Sequence, residues 1–106
     1  MEKDCLKVQG EQYVSCKINY ELNSNDWLKT ANVSSKVLTF KNTVLEFMFD
    51  DTWKAGINIS SSDNWQTANL SYIIPENSNI LSIIWVINLN EADNLFYLKN
   101  ISLTIQ

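Results

Sequence analysis

Four tryptophans, four tyrosines and not one histidine bound the chemistry open to this 106-residue chain. Without histidine there is no Ser-His-Asp or Cys-His nucleophile and no histidine-bearing metal site. Hydrolysis of a glycosidic bond needs two carboxylates facing each other across a cleft. Asp26, Asp50, Asp51, Asp63, Glu91 and Asp93 instead fall in predicted turns, where a carboxylate ordinarily forms or caps the turn. The reading is therefore non-catalytic. Calcium is the one ion these groups admit, if Asp50, Asp51, Asp63, Glu91 and Asp93 gather at one end of the molecule, but none has a recognised loop spacing. No cofactor is expected.

The aromatic residues point elsewhere. A sugar ring offers a flat C–H face that packs on an aromatic π face, and its hydroxyls need paired donors and acceptors, so a site for one wants Trp or Tyr beside Asn, Gln, Asp or Lys. Trp85 alternates with Leu81, Ile83, Ile87 and Leu89, which assigns it to the core. Tyr72 shares a face with Leu70 and Ile74, and Tyr20 with Ile18 and Leu22. Trp27 and Trp53, with Tyr13 on the polar face of its strand, remain as stacking platforms, and alternation puts Asn19, Asn58 and Asn88 nearest to them. The competing role for each ring is to close one end of the fold.

The elements that must position these groups are short strands. Residues 12–22 alternate cleanly, with Val14, Cys16, Ile18, Tyr20 and Leu22 on one face and Tyr13, Ser15, Lys17, Asn19 and Glu21 on the other, the pattern of a strand with one buried face. Asn23-Ser24-Asn25-Asp26 breaks it, and residues 26–30 form a loop or one helical turn. Residues 33–40 and 43–50 make two more strands. Asp50 to Gly56 reads as a hairpin loop with Trp53 at its tip, leading into a strand at 57–60. The segment DNWQTANLSYIIPENSNILSIIWVINLNEADNLFYLKNISLTI then supplies three apolar, β-branched runs divided by PENSN and NEADN. Pro75 fits the end of the first of them. About eight short strands with turn signals between them, and no 3.6-residue stripe, predict an antiparallel β-sandwich forming a single domain over 1–106.

Gly10-Glu11, read as the centre of a tight hairpin, would set Cys5 opposite Cys16 at a separation that a disulfide accepts. The alternative is two separate thiols. Asn32, Asn58, Asn69 and Asn100 each open an Asn-x-Ser triplet, as chance alone provides in a chain so rich in Asn and Ser.

Trp65-Gln-Thr, then Leu70-x-Tyr72-x-Ile74-Pro75, an aliphatic strand over 80–89, a polar loop, and Phe96-Tyr-Leu-x-Asn-Ile-Ser-Leu103 occur in an order that resembles the C-terminal half of jelly-roll carbohydrate-binding modules, the galactose-binding-domain-like sandwiches found beside glycoside hydrolases. The resemblance implies a jelly-roll topology, a structural role for Trp65, and recognition of a glycan. It also shows a departure: where the family carries an Asp that is often a calcium ligand, this chain has Lys99, and a cation there argues against calcium.

Composition narrows the partners. The net charge is -4, the chain has no arginine and the isoelectric point is near 4.6, which oppose binding to nucleic acid and to anionic membranes. No apolar run is long enough to cross a bilayer, and the opening Met-Glu-Lys-Asp-Cys is not a secretory signal. Lysine without arginine, with abundant Asn, Ile and Ser, fits an A/T-rich coding sequence of bacterial, phage or viral source. The expectation is a lectin-like module that attaches its owner to a polysaccharide, at an extracellular, cell-surface or virion-surface location. The alternative is an assembly module of a phage, virion or cell-surface protein, contacting protein or a second copy of itself through a sheet edge or exposed aromatics.

Overall fold

The computed structural model describes residues 2–3, 6–10, 14–87 and 94–106. Among the described residues there are nine strands: β1 (Glu2–Lys3), β2 (Leu6–Gly10), β3 (Ser15–Glu21), β4 (Thr30–Thr39), β5 (Thr43–Phe49), β6 (Thr52–Ile59), β7 (Gln66–Ile73), β8 (Ile80–Val86) and β9 (Asn94–Ile105). They form two sheets. One has the order β1/β2-β9-β4-β7, with β1 and β2 lying along β9 in one continuous register, and the other has the order β3-β8-β5-β6. Every pairing is antiparallel. The all-β antiparallel sandwich expected from the strand pattern is the architecture observed.

Alternation explains the two layers. Ala31, Val33 and Val37 of β4, Ala68 and Leu70 of β7, and Phe96, Leu98 and Ile101 of β9 face Leu45, Phe47 and Phe49 of β5 and Leu81, Ile83 and Trp85 of β8 across an apolar interior. Trp85 is fully buried, as its alternation required, and its Nε1–H donates to Ser35 Oγ at 3.1 Å, so the one polar atom of the ring is satisfied by the opposite sheet. In β9 the inward phase changes from Phe96 and Leu98 to Ile101. A bulge makes the change: the register against β4 shifts between Ser34 and Lys36, and Asn100 takes a left-handed φ of 54°.

Two sequence expectations are corrected here. Gly10-Glu11 does not join a hairpin, because β2 pairs with β9 in one sheet while β3 pairs with β8 in the other. A two-residue turn signal carries no information on whether the next strand returns to the same sheet or crosses the sandwich. Cys5, and with it the proposed bridge to Cys16, lies outside the described residues. The second correction concerns residues 50–56. The loop is only Asp50-Asp51, both at positive φ (50° and 66°), as a two-residue type I′ turn demands, and β6 begins at Thr52.

Candidate functional site

Trp53 therefore stands on a strand and not at a loop tip. In β6 it pairs with Met48, while Ala55 pairs with Phe47, so Lys54 is the extra residue of a bulge. The bulge restores the phase that the sequence alone misplaces: Ala55, Ile57 and Ile59 turn inward, and Trp53, Gly56 and Asn58 share the outer face. The indole is 56% exposed. It extends along its own strand to Gly56, where a Cβ atom would stand 3.4 Å from Trp53 Cζ2 and 3.5 Å from Glu46 Cβ. A Cβ there would only touch the ring, so the indole lies along the strand within van der Waals reach of residue 56.

Strand pairing then fixes what surrounds the ring. Three rows of side chains cross the outer face of this sheet from β6 to β3: Trp53, Met48, Ser82 and Asn19; then Gly56, Glu46, Ile84 and Lys17; then Asn58, Val44, Val86 and Ser15. With strands ~4.8 Å apart, the rows are about 14 Å long. Their centre is largely apolar, with Met48, Val44, Ile84 and Val86 half-buried beside Glu46 and the buried Ser82. Their margins are polar: Asn58 on one side and Asn19, Lys17 and Ser15 on the other are exposed. Asn19 is held in place by Ser82 Oγ–H, which donates to its Oδ1 at 2.8 Å.

The outer face of the other sheet is different. Asn32, Ser34, Lys36, Thr67, Asn69, Ser71, Ser102 and Thr104 dominate it, and they bond one another: Ser71 Oγ–H donates to Asn32 Oδ1 at 2.6 Å and Lys36 Nζ to Thr67 Oγ1 at 2.6 Å. That is the ordinary solvated side of an antiparallel sheet.

The predicted site residues divide accordingly. Trp53, Asn19 and Asn58 come together on one face. Trp27 does not join them: it is half-buried, packs against the core, and its Nε1–H donates to the Ser78 carbonyl at 2.8 Å, closing the end formed by residues 22–29 and 74–79. Tyr13 and Asn88 lie outside the described residues. Tyr20 and Tyr72 are partly buried against the core. Trp65 is half-buried, with Lys99 Nζ 4.1 Å from its ring centroid, so the lysine that departs from the family pattern caps an aromatic face. The carboxylates do not gather at one end. Asp50 turns its oxygens to the backbone N–H groups of Asn79 and Ile80 at 3.0 Å each, whereas Asp63 sits at the opposite end between β6 and β7; Glu91 and Asp93 lie outside the described residues. Among the described residues, no group of three acidic, Cys or His side chains is arranged to hold a metal.

What sequence reasoning missed is the apolar centre made by Val44, Met48, Ile84 and Val86. The signal was there: β8, ILSIIWV, is apolar on both faces, although the sandwich covers only one of them.

No family model matches the sequence, and no curated protein matches it significantly. Solved structures do. A CBM4 structure superposes with a TM-score of 0.70 at 15% identity, over 88% of this chain and 61% of that one. The chain shares its antiparallel jelly-roll sandwich fold with that structure. The C-terminal domain of EclA, a sugar-binding protein, matches with a TM-score of 0.57 at 9% identity, over 98% of this chain and 79% of that domain. The enzymatically active domain of tailspike protein 4 from bacteriophage CBA120 matches with a TM-score of 0.68 at 9% identity, over the whole of this chain but 18% of the tailspike chain. The chain thus spans 61% of the CBM4 chain's length and a far smaller part of the tailspike's. At these identities the likeness is one of fold.

Proposed function

We propose that the chain is a non-catalytic carbohydrate-binding module that takes a polysaccharide across the outer face of the β3-β8-β5-β6 sheet. The observation that carries this reading is a flat, exposed indole seated over Gly56 beside an apolar floor with polar margins. A pyranose stacked on Trp53 directs its equatorial hydroxyls sideways, towards Asn58 at one margin and Asn19 and Lys17 at the other, with Glu46 between them as an acceptor. Sugar-binding proteins among the structural neighbours support the same reading. Affinity is modest, since one exposed aromatic offsets little of the entropy of association.

The test is tryptophan fluorescence during titration with a panel of soluble polysaccharides, on the wild type, Trp53→Ala and Trp27→Ala. The expected result is a saturable change in the wild type that Trp53→Ala abolishes while its melting curve is unchanged. A panel without response, or a response indifferent to Trp53, overturns the proposal.

Exposed Leu28, Ile73 and Ile80 around the 22–29 and 74–80 segments favour a second reading, an assembly module in a surface or tail protein. A stable dimer or trimer by solution mass, with no sugar response, would select it.

A further inference from the structure

The bulge that places Trp53 has a second product. Lys54, the unmatched residue, is exposed at the edge of the sheet, where it meets the edge strand of the opposite sheet. With Tyr72, Ile73 and Pro75 it lines an open depression of about 590 Å³. Three of the four lining residues present apolar surface: the ring of Tyr72, the 59%-exposed Ile73 and the pyrrolidine of Pro75. The fourth is a cation. Lys54 has neither hydrogen bond nor ion pair among the described residues, and none of their carboxylates lines the depression. Asp50, in the turn just before it, directs its oxygens to the amides of Asn79 and Ile80 instead. Against a net charge of -4, which opposes polyanions as a whole, a local ammonium over an apolar wall fits a ring with an apolar face and an anionic substituent.

Continuity with the platform identifies the ring. Trp53 and Lys54 are consecutive, so a glycan lying on the indole and running off the β6 edge passes the residue that lines the depression. Resting on the glycan reading above, we propose that this depression accepts an acidic sugar unit, its carboxylate or sulfate paired with Lys54 and its ring face against Tyr72 and Pro75, and that it selects charged polysaccharides over their neutral counterparts.

The experiment uses matched pairs: polygalacturonate and its methyl ester, carboxymethylcellulose and hydroxyethylcellulose, dextran sulfate and dextran. Each is titrated against the wild type, Lys54→Gln and Trp53→Ala, with melting curves as the folding control. The expected result is that an acidic member binds roughly tenfold more tightly than its neutral partner, that Lys54→Gln removes this advantage while leaving the neutral affinity unchanged, and that Trp53→Ala removes both. The carboxylate and sulfate pairs tell the two anions apart. Equal binding within every pair, or an acidic preference that survives Lys54→Gln, overturns the inference while Trp53-dependent binding to neutral members leaves the platform standing. No binding to any member overturns both.

Discussion

Trp53 and Gly56 work as one unit. The ring lies within contact of the place a Cβ on residue 56 would take, so atoms beyond Cβ would crowd it, and glycine there costs strand stability while leaving the indole against the sheet. Gly56→Val should therefore separate the two quantities: stability is unchanged or higher by up to about 1 kcal/mol, from the better strand propensity of valine, while Trp53-dependent binding falls at least tenfold because the indole is lifted from the sheet. Thermal melts and the fluorescence titration read both on one sample, and normal binding by the Gly56→Val variant would show that the seat is not needed. Trp27 predicts the converse. Its ring packs on the core and its N–H satisfies the carbonyl of buried Ser78, so Trp27→Ala should cost about 2–3 kcal/mol in urea unfolding, with sugar affinity preserved wherever the variant is folded. The sequence showed both tryptophans as candidates, because both sit beside turn residues; what divides them is a hydrogen bond to a residue 51 positions away, which no local pattern contains.

Strand β6 shows why elements were legible more readily than their phase. A bulge adds one residue and reverses which side chains face inward, so plain alternation from Ile57 and Ile59 back through residue 53 gives the wrong side for Trp53. The same happens at Asn100 in β9, where an Asn at positive φ was the available clue. By contrast β3, β5, β7 and the core side of β8 were readable because they alternate without interruption. The turn before β6 carries its own prediction. Asp50 and Asp51 both hold positive φ, a conformation that favours glycine or asparagine. Of the two, Asp50 is bonded in return, to the amides that open β8. Asp51→Gly should stabilise by up to about 1 kcal/mol, as relief of left-handed strain outweighs the added entropy of the unfolded chain, and Asp50→Ala should destabilise by about 1 kcal/mol by freeing those amides. Equal effects of the two in chemical denaturation would contradict this account of the turn.

At the scale of the molecule, one outer face of the sandwich is mostly polar, with Leu38, Tyr97 and Ile73 as its apolar exceptions, and the other gathers Val44, Met48, Ile84 and Val86 around Glu46; under the proposed function the second is surface kept for a ligand. Adjacent residues of β8 test the division directly. Ile83 is fully buried between the sheets and Ile84 is half-buried on the outer face, paired across strands with Glu46 and Lys17. If the outer apolar patch served only the fold, polar substitution on either side of β8 would reduce stability alone. If it is the floor of a binding surface, the two differ in kind. Ile83→Asn should cost about 4 kcal/mol or more, through lost packing and a buried amide without partners. Ile84→Asn should cost less than about 1.5 kcal/mol, since water already reaches the site, yet weaken polysaccharide binding by an order of magnitude by wetting the floor beside Trp53. The sequence ILSIIWV showed two apolar faces and, through Leu81, Ile83 and Trp85, which of them is core, but not what the other face joins, because that depends on β5 and β6 arriving from elsewhere in the chain. A large stability loss in Ile84→Asn with binding intact in the folded fraction would return this face to the fold and remove it from function.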